Sequence, residues 1–260
     1  MRRHIQHEAT LPRLLGEAGY VSQHTGKWWE GDFRRAGFTE GYVRDIDRHQ
    51  DNRSIGRAGI DEITGFIDRA VADDKPFFVT YAPLMPHTPH TPPASLRDRY
   101  NPFVTAGQIT SAQANYYAMV DWMDQTVGEL QSHIQGKTTT GGANVDDETM
   151  YVYLADNGWV QSPNSATDTG RGKLSQYDGG IRTPIMFYWK GQVEDGRSMV
   201  DKLGDTSVAM SVDIAPTLLS AAGVEAPSRM QGVNLLGQTR EKAFGEIFRH
   251  DQRVYLNGQF

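Results

Sequence analysis

Apolar positions recur with helical spacing in several segments and gather into short uninterrupted runs between them. Leu11, Leu14, Leu15 and Ala18 share one helical face behind Thr10, a residue suited to N-capping, with Pro12 in the tolerated first turn and Gly19 at the end. The mixed segment Tyr20 to Thr25 reads as a strand that delivers Gly26-Lys27-Trp28-Trp29-Glu30-Gly31 into a loop. Ile60, Ile63, Ile67 and Val71 predict a second helix, stopped by Asp73-Asp74-Lys75-Pro76 ahead of a β-rich run from Phe77 to Tyr81. Five prolines between Pro83 and Pro93 then forbid regular structure and demand a shaped loop.

Tyr116, Val120, Met123, Val127 and Leu130 form the expected stripe of a long helix, followed by a Thr/Gly-rich linker from Lys137 to Asn144. Two further buried-strand candidates are Met150 to Ala155, which runs straight into Asp156-Asn157-Gly158, and Pro184 to Trp189. Met210, Ile214, Leu218 and Ala222 mark a last helix before Gly223. Strands alternating with helices in this way predict an α/β fold with a largely parallel sheet and no internal repeat.

Composition narrows the chemistry. The 260 residues carry 26 Lys and Arg against 32 Asp and Glu, a formal net charge of −6, with 38% apolar residues. No block of like charge gives the chain a reason to seek nucleic acid, and no run approaches the roughly 18 apolar residues of a membrane span. Neither partner is expected. The start, Met1-Arg2-Arg3-His4-Ile5-Gln6-His7, lacks the apolar core of a secretion signal, so the chain as written reads as cytoplasmic. Cysteine is absent, which excludes disulfides, thiolate metal sites and a Cys nucleophile.

In open α/β sheets ligands lie beyond the carboxyl ends of the strands, and two strand candidates end in liganding residues: His87 and His90 after one, Asp156 and Asn157 after the other. A carboxylate and an amide carbonyl are hard oxygen donors suited to Ca²⁺ or Mg²⁺, while imidazole offers a metal ligand or an acid–base group. Asp-Asn-Gly is also ordinary turn chemistry, and the Pro/His segment equally fits a polyproline II surface stretch. Lys27 and Lys173 lie among glycines and suit an oxyanion, although surface lysines on flexible loops look the same.

Together these pieces resemble the sulfatase family of the alkaline phosphatase-like superfamily. The resemblance rests on Thr10-Leu11-Pro12 through Gly19-Tyr20 with Gly26-Lys27-Trp28, on Pro76-Phe77-Phe78 with Pro86-His87-Thr88-Pro89, on Asp156-Asn157-Gly158, and on Lys173-Leu174-Ser175-Gln176-Tyr177-Asp178-Gly179-Gly180-Ile181-Arg182-Thr183-Pro184. Val212-Asp213-Ile214-Ala215-Pro216-Thr217 and Gly232-Val233-Asn234-Leu235-Leu236 continue it in order. It implies a core of mostly parallel sheet flanked by helices, lacking the family's first strand and its C-terminal subdomain, with residues 1–248 as an incomplete sulfatase-like core and 249–260 as a tail toward that subdomain. It also implies that Asp156 and Asn157 hold a divalent cation, Ca²⁺ in most of the family with Mn²⁺ or Zn²⁺ as alternatives. Lys27 and Lys173 would bind and neutralise sulfate oxygens, His87 would lie near the leaving or attacking oxygen, and His90 would help bind substrate.

The sequence also departs from the family pattern. The family nucleophile is a formylglycine made from Cys or Ser in a Cys/Ser-x-Pro-x-Arg segment; without cysteine, none is available at a Cys, and the one lookalike, Ala226-Pro227-Ser228-Arg229, has Glu225 in the nucleophile's place. Trp29 replaces the histidine of the family's Gly-Lys-Trp-His segment. Complete bacterial members are often periplasmic or secreted, which leaves the compartment open, and a core lacking its first strand is expected to self-associate as a homo-oligomer to cover strand edges. Two functional expectations follow. One is a hydrolase of small anionic sulfate or phosphate esters that works without formylglycine; the other is an inactive sulfatase fragment that at most binds a metal or anion.

Overall fold

In the computed structural model, residues 5–28, 31–42, 54–158, 171–173, 175–193, 208–247 and 252–256 are described, and they fall into two units, Met1–Asp146 and Asp147–Phe260. The fold is α/β, with a parallel sheet flanked by helices in the first unit. Helix α1 (Leu11–Glu17) buries Pro12 and Leu15. Thr10 stands at its N-cap as expected, but its hydroxyl accepts no helix N–H and instead donates to the carbonyl of Ala36, which ties the helix start to the short 3₁₀ turn Phe33–Ala36.

Strand β1 (Val21–Gly26) is the centre of a three-stranded parallel sheet, between β2 (Glu40–Tyr42) and β3 (Phe77–Ala82). Val21 pairs with Phe77 and Gly26 with Ala82, so β1 and β3 begin and end together. Helix α2 (Asp61–Ala72) covers one face with Ile63, Phe66, Ile67 and Ala70. On the other face Phe33, Ala36 and Phe38 form a cluster with Ile5, Trp28 and Phe78. The central strand itself is polar: Ser22, Gln23, His24 and Thr25 are all buried. Ser22 is matched by Thr39, whose hydroxyl donates to the Ser22 carbonyl (2.6 Å) and accepts from its N–H (2.7 Å), while Gln23 donates to the Glu62 carbonyl on α2 (3.1 Å).

After the proline loop come two short helices, α3 (Ala94–Arg97) and α4 (Asn101–Thr105), and then the long α5 (Ser111–Gln135), which opens with a capping box between Thr110 and Gln113. The expected stripe on α5 is shifted. Val120 is 42% exposed, and the buried positions are Ala114, Ala118, Met119, Thr126 and Ile134. Small residues let this helix approach closely, and Tyr81 of β3 meets the Thr126 hydroxyl at 2.9 Å. The stretch Lys137 to Asn144 is an ordered turn, closed by a Thr138–Asn144 bridge and by Thr139 N–H donating to Ala143 (2.8 Å).

In the second unit β4 (Tyr151–Leu154) and β5 (Ile185–Tyr188) pair antiparallel, so the parallel pattern describes the first unit and not this pair. Four-residue apolar runs carry no directional signal, and the expected burial is only partial here, with Leu154 and Met186 exposed. Between them lies the short α6 (Asp178–Ile181), and after them α7 (Ile214–Ala221). Strands β6 (Ala243–Ile247) and β7 (Gln252–Leu256) form a second antiparallel pair. No helix among the described residues is long and apolar enough to cross a membrane.

The second unit is organised by one carboxylate. Asp213, fully buried, accepts from Arg240 through both fork nitrogens (Nη2 to Oδ1 2.6 Å, Nε to Oδ2 2.9 Å), from the Val233 N–H (2.9 Å) and from the Met210 N–H (2.8 Å). Its own carbonyl accepts from Thr217, whose hydroxyl in turn accepts from the Leu235 N–H (3.0 Å). Gly232 lets the returning strap pass, since a Cβ there would lie 2.0 Å from the Val212 carbonyl oxygen. Removing one partner of a buried pair strands the other charge, so Asp213→Ala is expected to destabilise the second unit by about 3 to 5 kcal/mol. The check is the urea midpoint against wild type; a shift under about 1 kcal/mol would show that the network is dispensable.

Candidate functional site

In the first unit the candidate residues hang from the shared end of β1 and β3. Gly26 has φ +109°, and a Cβ at that position would sit 1.9 Å from the Ala82 carbonyl oxygen. Only glycine permits that approach, and it lets the Lys27 N–H donate to Ala82 (2.8 Å). The half-buried Lys27 therefore leaves the sheet beside the start of the proline loop.

His24, 3% exposed, secures the same turn from beneath. Its Nε2 lies 3.0 Å from the Lys27 carbonyl oxygen, which can only accept, so the proton belongs on Nε2. Nδ1 is then an acceptor, buried and without a hydrogen-bond partner among the described residues. The ring is enclosed by Trp28 (4.8 Å between centroids) and Phe38 (5.3 Å). Burial pushes the imidazole down to about 4, against the weaker opposing pull of the hydrogen bonds to Lys27 and Gly26.

The proline loop is anchored by the buried Leu84 and Met85, and the Met85–Pro86 and Thr88–Pro89 peptides are cis. The His87 N–H donates to Leu84 (2.7 Å), and its Nδ1 lies 3.0 Å from the Thr88 carbonyl oxygen, which can only accept, and 3.3 Å from the Thr88 hydroxyl; the tautomer protonated at Nδ1 suits both contacts and leaves Nε2 as the acceptor. His90 packs on Tyr116, 5.5 Å between ring centroids. Burial lowers its pKa first, opposed by a hydrogen bond to Pro86 and aided by the positive fields of His87 and Arg57. Arg57 reaches the loop directly, donating to the carbonyls of His87 (3.3 Å) and Pro89 (3.1 Å) and to the Thr91 hydroxyl (3.4 Å).

In the second unit Asp156, exposed, and Asn157, half-buried, follow β4. Asn157 Nδ2 donates to Asp156 Oδ1, while Asn157 Oδ1 is buried with no hydrogen-bond partner among the described residues. A carboxylate beside an orphaned amide oxygen is a donor set of the type that hard cations prefer. Gly158 fits against Gly179, whose carbonyl oxygen would lie 1.8 Å from a Cβ, and its N–H donates to Gly180 (3.0 Å). Gly180 in turn leaves room for the carbonyls of Gly172 and Ser175. Lys173, half-buried, lies on the Gly172–Ser175 turn, closed by the Ser175 hydroxyl donating to Gly172 (2.7 Å). Backbone packing thus draws the Asp156–Asn157 turn and the Lys173 turn together.

Among the described residues no group of three or more His, Cys, Asp or Glu side chains is assembled for a metal. Lys27, His87 and His90 therefore belong to the first unit, and Asp156, Asn157 and Lys173 to the second. Trp29 lies outside the described residues. Sequence reasoning missed His24 and Arg57. The available signals were a polar run inside a strand that ends in a glycine, and an Arg between two glycines flanked by Ile55 and Ile60.

A family profile described as Sulfatase matches residues 3–224. The chain is 33% identical over 190 residues to the Escherichia coli (strain K12) protein named "Uncharacterized sulfatase YdeN", covering 72% of this chain and 31% of that protein. It is 28% identical over 273 residues to the N-acetylgalactosamine-6-sulfatase of Canis lupus familiaris, covering 88% of this chain and 48% of that one. The chain thus spans about a third to a half of the length of these curated relatives. Among solved structures it superposes with TM-score 0.68 and 21% identity on the PsFucS1 sulfatase from Pseudoalteromonas sp., covering 95% of this chain and 59% of that one. It superposes with TM-score 0.66 and 17% identity on a protein solved with its substrate D-glucosamine-2-N,6-O-disulfate, covering 95% of this chain and 70% of that one.

The buried His24 makes a pH prediction. An unfolded histidine binds its proton near pH 6.5 and the folded His24 only near 4. Below 6.5 the unfolded state holds more protons, so the stability is complete above that pH and is lost as pH falls toward 4, on the order of 3 kcal/mol in all. Denaturation midpoints of wild type and His24→Gln between about pH 7 and about pH 4.5 check this. The wild type is expected to show the steeper loss, and parallel curves would contradict it.

Proposed function

The chain belongs to the sulfatase family, and from that membership we propose that it hydrolyses esters of tetrahedral oxyanions, sulfate esters first and phosphate esters second. The observation that supports this best is the shared end of β1 and β3, where Lys27 is bonded through its own N–H to Ala82, the residue from which the His87 loop departs. One cation for the ester oxygens and one imidazole near the bridging oxygen thus start from a single rigid junction.

In the first unit Lys27 serves as a cation for the equatorial oxygens, which gain charge in sulfuryl or phosphoryl transfer, and in the second unit Lys173 is the candidate for the same role by family resemblance. His87 presents Nε2, which accepts a proton from an attacking water or, once protonated, returns it to the leaving oxygen. His90, held against Tyr116, contributes to the substrate wall. Asp156 and Asn157 would hold a divalent cation through Oδ atoms, Ca²⁺ by family habit, and the orphaned Asn157 Oδ1 supports that assignment. Such an ion supplies charge neutralisation at the ester oxygens and lowers the pKa of bound water. The proposed turnover takes water as its nucleophile, activated by the His87 imidazole. The relatives named for N-acetylgalactosamine 6-sulfate make a sulfated amino sugar the first natural substrate to try.

A second reading, binding of an anion or metal without turnover, has one observation in its favour: among the described residues no group of three or more His, Cys, Asp or Glu side chains joins Asp156 and Asn157 as candidate metal ligands. Initial rates on chromogenic aryl sulfate and on phosphate mono-, di- and triesters, with and without chelator, separate the two. Lys27→Ala and His87→Ala are each expected to lower kcat/KM about 100-fold, and Asp156→Ala to match the effect of chelator. Full activity in the His87 and Asp156 variants would refute the hydrolytic reading, and silence of the wild type on every ester would leave binding alone.

A further inference from the structure

The segment from Pro83 to Pro93 is poor in the groups that normally fix a loop. Its five prolines carry no N–H, so the loop has more carbonyls to satisfy than donors to satisfy them with. Two backbone bonds form inside it, His87 N–H to Leu84 and Thr91 N–H to Pro89. Water can serve the exposed carbonyls, but fixing the loop in place takes a side chain that brings several donors and no acceptor. A guanidinium is that group, a planar fork able to serve two carbonyls at once.

Arg57 is built to deliver one. It lies in a tight turn between the buried Ile55 and Ile60, with Gly56 (φ +78°) and Gly59 (φ +103°) bridged across it. A Cβ at Gly56 would lie 2.3 Å from the Tyr81 hydroxyl and 2.7 Å from Met85 Cε, so glycine lets this turn settle directly on the end of β3 and the start of the loop. Tyr81 is itself fixed by Thr126 of α5. The guanidinium therefore starts from a rigid seat and meets three consecutive odd-numbered loop residues, at the carbonyls of His87 and Pro89 and the hydroxyl of Thr91.

We propose that Arg57 is the positioning residue of the proline loop, setting through its guanidinium where the His87 imidazole is presented. This inference rests on the hydrolytic reading for its kinetic consequence and on the loop geometry alone for its structural one. Nη2 serves both carbonyls while Nη1 reaches Thr91, and lysine keeps the charge but has no second nitrogen to span from the carbonyls to that hydroxyl, so it does not replace the fork.

The test uses the full chain as wild type, Arg57→Lys and Arg57→Met, with amide hydrogen exchange read residue by residue. Exchange at the His87 N–H is expected to accelerate at least about 10-fold in both variants while the amides of Val21–Gly26 keep their wild-type rates. On aryl sulfate, kcat should fall about 10-fold in both with KM within about two-fold, because a misplaced imidazole harms the chemical step more than binding. Unchanged exchange at His87, or equal acceleration at every amide, would overturn the proposal. A wild type silent on all esters would refute the hydrolytic reading, and the exchange comparison would still decide the role of Arg57.

Discussion

The candidate chemistry of the first unit depends on an approach that only a hydrogen atom allows. Where β1 and β3 end, the Gly26 α-carbon lies so near the Ala82 carbonyl that no side chain fits. That contact makes the Lys27 N–H a continuation of the sheet ladder, and it sets the base of the proline loop one bond away. Lys27 is held on its carbonyl side as well, by a histidine kept neutral through burial. The backbone of this lysine is thus clamped from both sides.

The second unit solves a similar problem with different means. Gly158, Gly179 and Gly180 let three turns pack backbone to backbone, so the Asp156–Asn157 carboxylate and amide and the Lys173 ammonium are carried on a common scaffold. Further along the chain, Asp213 gathers donors from the start of α7, the returning strap and Arg240. In both places a polar group or a missing side chain, and not apolar burial, decides the local geometry.

Much of this was legible in the residues. Helix α2 and strand β3 appear where the apolar period or run predicts them, and Lys27, His87, Asp156, Asn157 and Lys173 lie on turns and loops that follow or precede strands. What was hidden follows from the limits of periodicity. It does not see that Ser22, Gln23, His24 and Thr25 form the buried centre of a sheet, because their burial is supported by Thr39, by the Glu62 carbonyl and by aromatic rings distant in sequence. It assigns Val120 to the core of α5, whereas small residues one step round the helix permit the closer contact. It gives no sense of direction for β4 and β5. Arg57 was silent for the same reason as His24: its role is defined by partners some thirty residues away.

The polar centre of β1 has a consequence for the chain before it folds. Parallel strands pair late, since their partners are far apart in sequence, and strands exposed in the meantime are where aggregation starts. A segment reading Ser-Gln-His-Thr offers little of the apolar, β-prone character from which steric zippers form. Its neighbour Phe77 to Ala82 does have that character, and it is bracketed by Asp73-Asp74-Lys75-Pro76 on one side and by Pro83 and Pro86 on the other. Charges and prolines at those flanks act as gatekeepers against intermolecular pairing. The same prolines that leave the loop dependent on Arg57 thus protect the nascent chain at its most adhesive strand.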